Sequence, residues 1–139
     1  MIKSSPLSVA LLLVTYNRPE LLKQLLQAIS QFDWQYADFV IVDNASDSVT
    51  QQILEEYKSI LKLTIVSLSE NIGHGAGLAS GMDQLRNSDN SLEYVVFLED
   101  DSIPTAQYLD FLHFLTFFHA FSSFYFFTFL FRTQSWFFP

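Results

Sequence analysis

The stretch at residues 94–101 reads YVVFLEDD, five apolar residues followed at once by three carboxylates. The apolar part is typical of a buried β-strand. Three carboxylates at one strand end repel one another when shielded from water, so they need a counter-charge. Because side chains alternate along a strand, we expect Glu99 and Asp101 to point one way and Asp100 the other. Two hard oxygen ligands on one side are typical of a Mg²⁺ or Mn²⁺ site, and a solvated acidic turn is the alternative.

Segments typical of strands and helices alternate on either side of that stretch, through residues 7–110. Helices are predicted between the strands, with Asn17 and Ser48 as N-caps of the first two, because a Glu or Gln follows each at capping-box spacing. This order predicts a Rossmann-like α/β fold: a mostly parallel sheet of strand order 3-2-1-4, with helices on both faces. The predicted strands are residues 7–15, 39–42, 63–66 and 94–98.

A polar cluster follows each predicted strand. In open parallel sheets, ligands bind beyond the carboxyl ends of the strands, where the strand order reverses. We therefore expect the four clusters to form one site. They are TYNR at 15–18, DNAS at 43–46, NIGHGAG at 71–77 and EDD at 99–101.

Two of these clusters have both a binding and a structural interpretation. A carboxylate at Asp43 suits ribose hydroxyls or a base N–H, or else it shapes a turn. All four glycines lie between residues 73 and 81. Backbone N–H groups at a helix start suit a phosphate there, and close packing of helix on sheet is the alternative. Arg18 either offsets diphosphate charge or is an ordinary exposed residue at a helix start, and His74 either contacts phosphate or sugar or is solvated. Taken together, the clusters predict a site for a nucleotide diphosphate with a divalent metal.

Composition excludes several other classes of function. The chain has 139 residues, enough for one domain with a substantial core. Its net charge of −8 argues against nucleic acid as a partner. It has no cysteine, which excludes disulfide scaffolds, thiolate zinc sites and cysteine nucleophiles. The apolar run at 7–14 is predicted as a strand rather than a signal peptide, because no small-residue cleavage pattern follows it.

The composition changes after Asp110, and Arg132 is the only formal charge beyond it. We therefore divide the chain into a half-domain at 1–110 and a Phe-rich tail at 111–139. Residues 111–131 are uncharged and long enough to cross a bilayer. Three interpretations of the tail stay open: a transmembrane or re-entrant anchor that brings the chain to a membrane, a buried amphipathic helix, or an out-of-frame or truncated end.

Four segments, taken in order, resemble the N-terminal, donor-binding half of family 2 glycosyltransferases, which have the GT-A fold. They are LVTYNRPELL at 13–22, IVDNAS at 41–46, NIG at 71–73 and FLEDD at 97–101. The resemblance implies metal-assisted sugar transfer with inversion, from a UDP- or dTDP-linked donor to a hydroxyl of a sugar or glycolipid acceptor. It also implies a cytoplasmic location, at the inner face of the membrane.

The resemblance further implies a set of site residues. Mn²⁺ or Mg²⁺ would be held by Glu99 and Asp101, although the family has Asp where this chain has Glu99. The implied donor-binding residues are Thr15, Tyr16, Asn17, Arg18, Asp43, Asn44, Asn71, Gly73, His74, Gly75 and Asp100.

The catalytic base is not assigned. In the family, a carboxylate from the second half of the fold deprotonates the acceptor hydroxyl, and this sequence has no carboxylate after Asp110. We therefore expect donor binding from this chain, with turnover needing further residues or another chain. The alternatives are a non-catalytic nucleotide- or metal-binding fragment and a small membrane-anchored interaction protein.

Overall fold

The computed structural model describes residues 9–32, 37–88, 92, 94–105 and 108. Strands and helices alternate through these residues, as predicted. The predictions for the tail at 111–139, including a membrane span at 111–131, lie outside the described residues. The elements are β1 (Val9–Thr15), α1 (Pro19–Ser30), β2 (Ala37–Asp43), α2 (Ser48–Leu61), β3 (Thr64–Ser67), α3 (His74–Asn87) and β4 (Tyr94–Leu98).

The four strands form one parallel sheet in the order β3-β2-β1-β4, which confirms the predicted order. β1 is hydrogen-bonded on both sides, so Leu13 faces Ile41 of β2 and Leu98 of β4. At its last residue, Thr15 faces Asp43. The carboxyl ends of β2, β1 and β4 therefore lie side by side.

Both faces of β1 are buried, which explains its near-continuous apolar sequence. Leu11 and Leu13 pack in one core cluster with the apolar face of α1 and α2. Leu12 and Val14 belong to a second cluster, which includes Leu85 of α3. The helices thus cover both faces of the sheet, as predicted. Among the described residues, no helix is long and apolar enough to span a bilayer.

Both predicted N-caps are wrong by one residue. The N-cap of α1 is Arg18, whose side chain makes no capping hydrogen bond. Asn17 has a left-handed φ of 52° and instead accepts a hydrogen bond at Oδ1 from the Asp47 backbone N–H, at 2.7 Å. The N-cap of α2 is Asp47, which accepts from the Thr50 N–H at 2.9 Å, so Ser48 is the first helical residue. This hydrogen bond from the Thr50 backbone lowers the pKa of Asp47 below its ordinary value.

Two glycines of α3 let the helix pack closely on the sheet. A Cβ at Gly77 would lie 2.9 Å from Val14 Cγ1, and a Cβ at Gly81 would overlap Leu12 Cδ1. Gly75, two residues before Gly77, has nothing within 4 Å of its Cβ position. Close packing therefore explains Gly77 and Gly81, and it does not explain Gly75.

We expect Gly81→Ala to destabilise the protein and Gly75→Ala not to. The methyl group at residue 81 enters a filled core, and overpacking of about 1–3 kcal/mol outweighs a helix-propensity gain of at most about 1 kcal/mol. At residue 75 only the propensity gain applies. Urea unfolding of both variants measures the free energy of unfolding. Equal changes in the two variants would contradict the close-packing explanation.

Candidate functional site

Three buried polar side chains line up across the carboxyl edge of the sheet. Thr15 faces Asp43, and Asp100 lies two residues beyond Leu98, which faces Leu13. Thr15, Asp43 and Asp100 are only 1%, 1% and 5% exposed. Buried polar groups require hydrogen-bond partners. The loops beyond the strands supply them.

Arg18 supplies the counter-charge for the buried carboxylate of the acidic triplet. Its Nη1 lies 2.9 Å from Asp100 Oδ1 and 3.9 Å from Asp101 Oδ2. Thr15 Oγ1 also approaches Asp100 Oδ2, at 3.5 Å. The Arg18 side chain itself is half exposed, so its guanidinium lies at the surface of the edge. These contacts join the loop after β1 to the loop after β4.

The other two carboxylates of the triplet are exposed. Glu99 Oε1 lies 3.7 Å from His74 Nε2 at the start of α3. Asp101 shares Arg18 as a neighbour with Asp100. The alternation expected of a strand does not extend to Asp101, because β4 ends at Leu98 and residues 100–101 form a turn.

The described part of the chain holds no group of three or more His, Cys, Asp or Glu side chains arranged to hold a metal ion. An ion at Glu99 or Asp101 would take its other ligands from other kinds of oxygen atom, such as those of water.

The loop after β2 is held by its own hydrogen bonds and by Asn17. Asp43 Oδ1 accepts from the Ser46 backbone N–H at 2.8 Å, so the turn interpretation of Asp43 is correct at this oxygen. The Asn17 backbone N–H donates to Ser46 Oγ at 3.2 Å, and its side chain holds Asp47. Ala45, in the turn between Asp43 and Ser46, has a left-handed φ of 65°. The sequence placed Ser46 in the cluster after β2 without a role and did not single out Asp47; both contact Asn17, 29 and 30 residues away.

Asn44 joins this loop to the glycine loop before α3. Its Nδ2 donates to Asn71 Oδ1 at 3.0 Å, and its Oδ1 accepts from the Ile72 N–H at 3.0 Å. Asn71 Oδ1 also accepts from the Gly73 N–H at 2.9 Å. Gly73 is the N-cap of α3, with φ 85°. Asn44 is thus a link between loops, a role that its sequence neighbours do not indicate.

The four loops therefore form a closed ring of contacts around the edge. Asn17 joins the first loop to the second, and Asn44 joins the second to the third. His74 approaches Glu99 between the third and fourth, and Arg18 joins the fourth back to the first. Tyr16, 44% exposed, lies in the first loop. The sequence prediction that these clusters share one edge agrees with this geometry.

The sequence matches the family model of glycosyl transferase family 2 over residues 11–114. Among characterised relatives, it is 32% identical over 89 residues to the poly(ribitol-phosphate) beta-N-acetylglucosaminyltransferase TarS of Staphylococcus aureus, covering 63% of this chain and 15% of TarS. It is 26% identical over 95 residues to the poly-beta-1,6-N-acetyl-D-glucosamine synthase of Staphylococcus epidermidis, covering 68% of this chain and 22% of the relative. The chain thus spans less than a quarter of these relatives.

Solved structures share the fold. A crystal structure of an S. aureus TarS fragment aligns with a TM-score of 0.68 and 25% identity, covering 81% of this chain and 33% of that one. The same protein in complex with UDP-GlcNAc aligns with a TM-score of 0.68 and 26% identity, covering 81% and 32%. The mannosyltransferase PcManGT of Pyrobaculum calidifontis, solved with GDP-Man and Mn²⁺, aligns with a TM-score of 0.64 and 23% identity, covering 80% and 32%.

The family match covers most of the chain, and the parallel sheet of order 3-2-1-4 agrees with the structural neighbours. The chain belongs to glycosyl transferase family 2, with the fold of the N-terminal portion of GT-A enzymes.

Proposed function

We propose that the described edge of the sheet binds the nucleotide diphosphate of a sugar donor, as the donor half of an inverting, metal-assisted glycosyltransferase. The observation that supports this most is the ring of four loops around the buried row Thr15, Asp43 and Asp100. TarS was solved with UDP and with UDP-GlcNAc, at 25% and 26% identity to this chain, so a UDP-linked sugar is the first donor to test.

The nucleoside is proposed to lie over the ends of β1 and β2. The Ser46 N–H occupies only Oδ1 of Asp43, which leaves Oδ2 to accept from a ribose hydroxyl or a base N–H over the strand ends. Asn17, with Tyr16 beside it, borders the same loop. Thr15 is buried beneath them. In this half of the site, the nucleoside would be bound by polar groups that contacts within the chain already orient.

The diphosphate is proposed to lie between Arg18 and the start of α3. Arg18 is half exposed and carries hydrogen-bond donors beyond the one that Asp100 uses. The first N–H groups of α3, at His74 and Gly75, have no acceptors within the helix and suit an anion. The open space at Gly73 and Gly75 leaves the backbone accessible. Together they provide positive potential at both sides of a phosphate pair.

Glu99 and Asp101 fit a hard divalent cation as oxygen donors. Both side chains are about half exposed or more, and their basic neighbours lie 3.7 and 3.9 Å away, too far for strong hydrogen bonds. Carboxylates so weakly held are accessible to Mg²⁺ or Mn²⁺, which keeps several water or phosphate ligands. When bound, the ion would supply Lewis-acid stabilisation of the departing diphosphate.

Transfer to an acceptor hydroxyl needs a general base. No described residue at the edge is assigned that role. Asp43 and Asp100 are buried and partnered. A donor-binding fragment without catalysis is therefore the second candidate for this chain. The acceptor is proposed to be a hydroxyl of a sugar or glycolipid, and no described residue is assigned to it.

We expect UDP to bind the chain, and Mn²⁺ to tighten binding by about tenfold or more, equivalent to ~1.4 kcal/mol. Isothermal titration of UDP in Mn²⁺ and in EDTA measures both affinities. Uridine without phosphate is the control, because it should show little dependence on Mn²⁺. The absence of binding heat under both conditions would contradict the proposed function.

Asp101→Asn should remove most of the Mn²⁺ effect while leaving UDP affinity in EDTA close to that of the wild type. The amide is isosteric but lacks the charge that holds a hard cation. Asp83→Asn is the matched control, since Asp83 is an exposed ion-pair partner of Arg86 on α3. If Asp101→Asn keeps the full Mn²⁺ effect, this carboxylate does not hold the ion.

Arg18→Ala should weaken UDP binding by about tenfold, as expected for the loss of a charge-assisted contact of ~1.5 kcal/mol. Uridine binding should change much less, because the nucleoside has no phosphate charge. Arg86→Ala, which removes another exposed arginine, controls for net charge. Equal weakening for UDP and uridine would show that Arg18 acts only by supporting Asp100.

A further inference from the structure

The side chain of Asn44 makes hydrogen bonds to residues 71 and 72 that no other described side chain at the edge makes. It is 2% exposed, and its amide donates to Asn71 Oδ1 and accepts from the Ile72 N–H, both at 3.0 Å. Contact with a donor in solution would require exposing this amide and breaking one of these bonds. An unpaired buried amide is costly. The side chain is therefore placed to act on its neighbours.

The contacts of Asn44 lead directly to the start of α3. Asn71 Oδ1 accepts two hydrogen bonds, one from Asn44 Nδ2 and one from the Gly73 N–H at 2.9 Å. Gly73 is the N-cap of α3 and holds φ 85°, a conformation that glycine adopts without strain. Asn44 thus fixes the oxygen that in turn fixes the Gly73 backbone.

We propose that Asn44 is a positioning residue: it holds residues 71–73, and with them the first turn of α3, in place for the donor diphosphate, without touching the donor. This rests on the proposed function. Residues 71–73 lead into α3 and include Gly73, which has a positive φ. Without the Asn44 amide these residues would sample more conformations in the free protein, and ordering them would then weaken UDP binding through its cost in conformational entropy. The sequence-based assignment of Asn44 as a donor contact is thereby replaced by an indirect role.

Two substitutions with the same charge change separate this role from electrostatics. Asn44→Asp turns the donor that faces Asn71 Oδ1 into an acceptor, so the two oxygens repel. Asn71→Asp keeps an oxygen acceptor for both Asn44 Nδ2 and the Gly73 N–H. Each variant adds one negative charge, at side chains whose polar atoms lie 3.0 Å apart. Asn71 is the more exposed of the two, so repulsion between the new charge and the diphosphate would weaken UDP binding at least as much in Asn71→Asp as in Asn44→Asp.

The experiment combines isothermal titration of UDP with hydrogen exchange at the Gly73 amide, followed by NMR. We expect Asn44→Asp to weaken UDP binding by about tenfold, and by more than Asn71→Asp does, since only the first leaves polar groups unpaired. The Gly73 amide should exchange faster with solvent in Asn44→Asp than in the wild type, and no faster than the wild type in Asn71→Asp, which keeps the acceptor oxygen. If Asn44→Asp fails to fold, Asn71→Ala at the exposed partner removes the same oxygen without added charge and should both speed exchange at Gly73 and weaken UDP binding.

Other outcomes overturn the proposal in distinguishable ways. Weakening by Asn71→Asp that equals or exceeds that by Asn44→Asp would assign the effect to charge. Weakened UDP binding with wild-type exchange at the Gly73 amide in Asn44→Asp would show direct contact with the donor. Faster exchange at Gly73 with wild-type affinity would show that the link is structural only. Failure of the wild-type chain to bind UDP would instead overturn the proposed function, while exchange at the Gly73 amide would still report on the link.

Discussion

The parallel pairing of β1 with both β2 and β4 is the constraint on which the site depends. It places Thr15 beside Asp43, and it brings Asp100 to the same edge. All three side chains lie beneath the surface, where each polar group must find a partner. The partners come from the loops: Arg18 for Asp100 and the Ser46 N–H for Asp43. The loops are thus held at the edge by the same groups that a ligand there would need.

The acidic triplet separates into one buried and two exposed carboxylates with different roles. Asp100 is paired with Arg18 at 2.9 Å, and breaking a pair at a buried carboxylate is costly. Glu99 and Asp101 have only distant basic neighbours. The charge repulsion that the sequence predicts is therefore offset in part by a guanidinium within the chain. Of the three carboxylates, only the exposed Glu99 and Asp101 are available to a further cation. The ion pair of Asp100 with Arg18 explains how three adjacent acids can lie together before any metal ion binds.

The sequence predicted most of the fold because strand and helix periodicity is a local property. Buried parallel strands such as β1 are apolar throughout, and the alternation of elements then restricts the order of the sheet. The N-caps could not be assigned in the same way. Asn17 matches the capping pattern, but a hydrogen bond to Asp47, 30 residues away, competes for its side chain. Which capping residue a helix uses depends on such tertiary contacts, and spacing does not encode them.

The sequence predicted at which edge of the sheet the site lies. It predicted the contacts of the individual side chains less well. Asp43, Arg18 and Asp100 meet there because they follow strands of known order. The direction of Asp101 was not predictable, because it depends on where β4 gives way to a turn. The link through Asn44 was also missed, since its partners lie 27 and 28 residues away. Positions set by regular strands follow from sequence, and positions set by loops require the tertiary structure.

The glycines of α3 connect the core to the site. Gly77 and Gly81 admit Val14 and Leu12 of β1, so the helix lies against the central strand at a distance that any side chain would increase. Because the backbone hydrogen bonds of a helix hold its turns in fixed relation, that close packing also sets where the first turn of α3 lies, next to the ends of β1 and β2. Asn44 then needs to fix only the three residues that lead into the helix. The position of the proposed phosphate-binding turn is thus determined at one end by core packing and at the other by a single buried amide.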